Sequence, residues 1–166
     1  MNKQSGQRLS FRRIAGTSVV LLGLLVSSST VQSQGDTRFR ARLDLVQSGP
    51  PVADARCPAP TVLVSFTGTG SATRMGRVTA VGSHCIIDDP AETAFTNGML
   101  VLSNGRGQLF INYSGNDNAG TLEGTFVITG GSGAFAGATG EGTLSGTAFA
   151  DEERGFGILE GRIDIP

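Results

Sequence analysis

Few side chains in this chain are suited to chemistry. Its 166 residues include one histidine, His84, one tyrosine, Tyr113, and two cysteines, Cys57 and Cys85. An imidazole can act as a general base, but only with a nucleophile or carboxylate beside it, and no Ser-His-Asp order or pair of catalytic carboxylates accompanies His84. The Tyr113 phenol can offer a hydroxyl to a ligand. Arg74 and Arg77, next to the glycine-rich start of a strand, can hold an anionic group. Each role has a structural rival: a core histidine, a core tyrosine with its hydroxyl at an opening, and two solvated arginines. Two thiols and one imidazole fall short of the four ligands zinc takes, so no metal site is expected. The Asn116-Asp117-Asn118-Ala119-Gly120 run lacks the leading acid and terminal glutamate of a calcium loop and reads as a turn.

The stretch VITGGSGAFAGATGEGTLSG, residues 127–146, contains Gly131-Ser132-Gly133-Ala134-Phe135-Ala136, which fits the G-x-G-x-x-A pattern of dinucleotide sites. That chemistry requires a helix to start inside the motif, with its first amides on the pyrophosphate. Here Gly137, Gly140, Gly142 and Gly146 follow, and each glycine costs a helix roughly 1 kcal/mol. No G-K-[ST] is present either, so no nucleotide cofactor is expected. The same residues suit a β-protein: Gly130, Gly131 and Gly133 for a tight turn, Phe135 returning to the core, and the later glycines letting a strand curve.

The elements that would position these residues begin after an export signal. Lys3, Arg8, Arg12 and Arg13 precede an apolar run, Ile14 to Val26, and the small residues at Val31-Gln32-Ser33 suit cleavage near Ser33. The run is shorter than the roughly 20 residues a membrane span needs. Residues 1–33 are therefore expected to be a signal peptide, leaving a secreted or periplasmic protein with no membrane attachment. Cleavage removes four of thirteen basic groups and none of the fourteen acidic ones, for a net charge of −5. A chain of that sign without a basic cluster lacks the footprint of a nucleic-acid binder. In an oxidising compartment Cys57 and Cys85 are expected to form a disulfide, with two free thiols or a metal site as rivals.

Residues 34–60 hold one alternating strand, Phe39 to Leu45, and a proline-rich loop from Ser48 to Pro60; residues 61–166 complete the domain. Short β-type runs follow: Thr61–Thr67, Met75–Ile87 with a bulge at Gly82, Thr93–Thr96, Met99–Ser103, Gln108–Tyr113, Thr121–Thr129, Thr143–Phe149 and Phe156–Ile165. Asn97-Gly98 is expected to be a hairpin turn, as is Asn104-Gly105, because both central residues of a type I′ turn need positive φ. Strand parity turns Tyr113 inward with Leu109 and Ile111, turns His84 inward with Val78 and Ala80, and exposes Glu123. No amphipathic helix is found. The fold class is all-β: a single antiparallel barrel of eight to nine strands, calycin-like, whose closure removes sticky edges.

The run FVITGGSGAFAGATGEGTLSG, with FTGTGSATRMGRVT and the cysteines of ARCP and SHC, resembles the allene oxide cyclase barrel-like and dirigent-like superfamily, in particular its small exported bacterial members. The resemblance covers roughly Arg56 to Gly146, and it departs at Arg74, where related sequences often carry histidine. It implies an eight-stranded barrel around an apolar cavity and a small hydrophobic ligand. An enzyme of this kind would be a cofactor-free cyclase or isomerase, steering cyclisation or coupling by shape. A packed barrel would instead serve as a surface interaction module. Relatives form dimers and trimers, so a homo-oligomer is a further expectation.

Overall fold

The computed structural model describes residues 34–87, 94–149 and 154–166; the expected signal peptide lies outside them. Eight antiparallel strands follow one another: β1 (Gln34–Gln47), β2 (Thr61–Ala72), β3 (Gly76–Ile87), β4 (Ala94–Asn104), β5 (Gly107–Asn118), β6 (Thr121–Gly133), β7 (Thr139–Phe149) and β8 (Arg154–Ile165). Each pairs with the next, and β1 pairs with β8, so the sheet closes into a barrel. The all-β barrel expected from the sequence is what forms, with eight strands.

One side-chain parity per strand faces inward. Phe39, Leu43, Leu109, Ile111, Phe126 and Leu159 lie on that side and are almost completely buried. The outer wall carries polar rows such as Arg40 of β1 against Glu160 of β8, paired at 2.9 Å.

The two barrel ends differ. At one end tight connections join β2 to β3, β4 to β5 and β6 to β7, and Met75, Phe135 and Ala138 from these connections are buried as a plug. Phe135 returns to the core as expected, and the Arg106 guanidinium lies over its ring, 5.6 Å from the centroid. The glycines of β7 serve curvature: a Cβ at Gly140, Gly142 or Gly146 would run into a backbone carbonyl of β8. At the other end lie the start of β2 and the end of β3. There residues 48–60 cross the outside of the wall, where Val52 bridges to Leu63.

Two local expectations are corrected, and a third in part. Asn97-Gly98 is no hairpin turn but lies inside β4, where it forms a bulge: register jumps from Phe95 to Gly98 against β5, and from Thr96 to Met99 against β3. Asn97 has φ 49°, so the left-handed preference of the dipeptide is used by the bulge. Ala94–Thr96 of the first expected run and Met99–Ser103 consequently belong to one strand, and Thr93 lies outside the described residues. Gly82 is not bulged either, since β2 and β3 stay in register through Phe66 and Gly82. Glycine stands there because a Cβ would strike the Phe66 ring. A hairpin does stand at Asn104-Gly105, but its two-residue loop is Gly105-Arg106 and neither these residues nor Asn104 has positive φ, so the expected type I′ turn does not form; the Arg106 amide donates to Asn104 Oδ1 at 2.8 Å.

Candidate functional site

The inward-facing side chains near the end of β3 form a ring cluster. His84 of β3 lies 5.8 Å from Phe66 of β2, 5.4 Å from Phe95 of β4 and 5.9 Å from Tyr113 of β5, centroid to centroid. His84 and Tyr113 meet edge to face, and His84 Nδ1 stands 2.8 Å from the Tyr113 hydroxyl. The two residues sit on strands separated by β4, a backbone gap of about 10 Å. They bridge it because the β4 residue between them is Gly98. A Cβ there would stand 2.7 Å from two Tyr113 ring carbons.

Both polar groups are held in their neutral forms. Burial lowers the His84 pKa from 6.5 to about 4, and burial raises that of Tyr113 above the usual phenol range. A base with a pKa near 4 is about a thousandfold weaker than one matched to pH 7, so His84 is poorly suited to proton abstraction. The neutral pair is better suited to holding a ligand than to moving its protons.

Around this cluster Leu45, Ile86, Leu122 and Leu144 pack against the core yet are only partly buried; at the plugged end Ile165 alone among the described residues is in that condition. At the plugged end, Leu102, Leu109 and Phe135 are sealed. Among the described residues, these inward side chains at the His84 end are thus apolar and less enclosed than those at the plugged end, in the manner of a cup. Among the described residues no group of three or more His, Cys, Asp or Glu is placed to hold a metal ion.

Cys57 and Cys85 form a disulfide with Cα atoms 5.4 Å apart. It lies outside the wall: Leu63 and Cys85 are register partners whose side chains point away from the barrel axis, and with Cys57 they make a small separate core. The disulfide fixes the proline-rich loop beside the β4 bulge, where Asn97 Nδ2 donates to the Arg56 carbonyl at 3.2 Å. Such a bond fits an oxidising environment.

His84 and Tyr113 therefore face inward, as strand parity predicts, and they touch. Arg74 and Arg77 do not join them. Both are exposed at the plugged end, Arg74 in the β2–β3 connection with φ 63° and Arg77 at the start of β3, about 23 Å along that strand from His84. Arg74 donates to Thr37 Oγ1 at 2.9 Å. Glu123 is exposed as expected. The contributions of Phe66, Phe95 and Gly98 were missed by sequence reasoning. The only signal was the Asn97-Gly98 dipeptide, which marks positive φ without distinguishing a turn from a bulge.

No protein-family model matches the chain, and no curated protein matches it. Solved structures do. The pterocarpan synthase dirigent protein GePTS1 superposes with a TM-score of 0.53 at 14% identity, over 80% of this chain and 86% of that one. The pterocarpan synthase dirigent protein PsPTS1 gives 0.53 at 16%, over 81% and 97%. The fold is that of the dirigent-like barrels.

Proposed function

We propose that the protein is an exported dirigent-like barrel that takes a small hydrophobic molecule into its open mouth, by shape and by one polar pair. The observation that carries this reading is the unequal burial of the inner wall: nearly complete at Leu102, Leu109 and Phe135 at one end, partial at the apolar Leu45, Ile86, Leu122 and Leu144 at the other. The export signal read from residues 1–33 and the Cys57–Cys85 disulfide support a secreted or periplasmic location. A cofactor-free cyclase or dirigent-like steering enzyme would use the same cup, and the fold likeness to pterocarpan synthase dirigent proteins favours that version. The low basicity of His84 favours binding, or steering by shape, over acid–base catalysis.

A surface module is the other reading, and one observation favours it. Val81, Met99, Phe110 and Val127 are exposed on the outer wall of β3 to β6, where Val81 pairs with Val101 and Val101 with Phe110. A contiguous apolar patch of this kind commonly marks a contact with another protein or a second copy.

Native mass spectrometry of the mature protein recovered from its producing culture separates these readings. A mass a few hundred daltons above the disulfide-bonded polypeptide, lost on denaturation, is the result expected of a ligand-holding cup. A bare polypeptide mass, with no uptake of added hydrophobic probes, would overturn it in favour of the outer patch.

A further inference from the structure

We infer that the molecule held in the cup is neutral and presents a hydrogen-bond acceptor, a carbonyl or ether oxygen beside an apolar or aromatic body, to the Nε2–H of His84. This rests on the reading of the cup as a ligand site and adds the chemical class it selects.

The tautomer follows from the contacts of the Tyr113 hydroxyl. That hydroxyl has one proton and two acceptors in reach, His84 Nδ1 at 2.8 Å and the Ser83 carbonyl at 3.4 Å. An O–H donor favours contacts of about 2.5 to 3.0 Å, so the proton goes to Nδ1. A phenol is also the better donor of the pair and an imidazole nitrogen the better acceptor. In a neutral imidazole one nitrogen accepts and the other carries the proton, so Nε2 is the donor. Nε2 makes no hydrogen bond to a described residue. His84 as a whole is only partly buried, so the ring keeps an accessible edge beside the rings of Phe66 and Phe95.

The selectivity follows from what surrounds that N–H. Among the described residues, the inward side chains around the pair, Leu45, Ile86, Leu122 and Leu144, carry no charge, and a carboxylate or ammonium desolvated against them would lose its hydration without a partner. A carbonyl or ether oxygen loses far less and regains one bond. The flat rings of His84, Phe95 and Tyr113 suit an unsaturated or aromatic body.

Three naphthalene probes test this on the mature disulfide-bonded protein: the ketone 6-propionyl-2-(dimethylamino)naphthalene, its smaller parent 2-(dimethylamino)naphthalene without the propionyl group, and the anion 1-anilinonaphthalene-8-sulfonate. The ketone should bind best at pH 7, and His84→Phe, which keeps a ring and removes the donor, should weaken it about fivefold while leaving the parent amine unchanged. Because the chain has one histidine, its ring nitrogens can be followed directly by 15N NMR. The free protein should show a protonated Nε2 whose resonance moves when the ketone is added, and Tyr113→Phe should mix the tautomers. An unprotonated Nε2, a ketone indifferent to His84→Phe, or tighter binding of the anion would overturn the acceptor class while leaving uptake into the cup intact. If none of the three probes binds, both the class and the cup reading fail.

Discussion

His84 and Tyr113 close a 2.8 Å contact across an intervening strand, over a residue that has no side chain. Gly98 is what makes the meeting possible, and the β4 bulge is what puts Gly98 there. Gly98→Ala should push the Tyr113 ring away from His84, because a Cβ would lie 2.7 Å from two of its carbons and 2.5 Å from the Tyr113 carbonyl oxygen. Overpacking of this kind costs about 1 to 3 kcal/mol. Denaturant unfolding should register that loss. The His84 ring nitrogens should report a broken contact, and an unchanged 15N spectrum would show that the bulge absorbs the methyl group.

Acid should destabilise the protein through the same histidine. The folded-state pKa is lowered by burial to about 4, against 6.5 for the free side chain. Between those values the unfolded chain takes up a proton that the native protein refuses. The contribution is fully present above pH 6.5 and is lost as the pH falls towards 4, by about 3 kcal/mol in all. Urea unfolding from pH 7.5 to 4 should show this decline, and His84→Phe should flatten the part of it that belongs to the imidazole.

The disulfide should matter for the loop more than for the barrel. Cys57–Cys85 encloses a separation of 28 residues, and closing such a loop is worth about 3.6 kcal/mol in the chain-entropy model. The strand ladder from β1 to β8 closes without it. The double variant Cys57→Ser, Cys85→Ser should therefore keep its β-sheet circular dichroism at 25 °C and unfold at lower denaturant. Hydrogen exchange should quicken first at the amides of Val52 and Cys57, whose partners are Leu63 and Asp54. Uniform loss of protection around the whole barrel would contradict this separation of loop from wall.

Much of this architecture was legible in the sequence, because period-two alternation places Leu109, Ile111 and Tyr113 on one face without reference to anything distant. Glycine spacing in residues 127–146 excluded a helix for an equally local reason. Asn97-Gly98 was misread because positive φ is a local property, whereas the choice between turn and bulge depends on which strand lies alongside. The pairing of His84 with Tyr113 was out of reach for the same reason. Parity places each residue inside, but only the register of β3, β4 and β5 brings them level. Arg74 and Arg77 stood near His84 in sequence and lie at the far end of the strand, since a strand advances about 3.3 Å per residue.

That separation of the two ends can itself be tested with Phe135. Its ring is fully buried in the plug, beneath the Arg106 guanidinium, and it belongs to the β6–β7 connection rather than to the mouth. Phe135→Ala should cost about 3 to 5 kcal/mol, the usual range for emptying a buried aromatic site. The His84 and Tyr113 resonances should nevertheless stay in place below the unfolding transition, because Phe66, Phe95 and Gly98 position those rings without help from the plug. Phe135→Leu should recover part of the lost stability by refilling part of the volume. If instead Phe135→Ala shifted both resonances under native conditions, the plug and the mouth would be one cooperative core, and the cup would depend on its floor for the geometry of its polar pair.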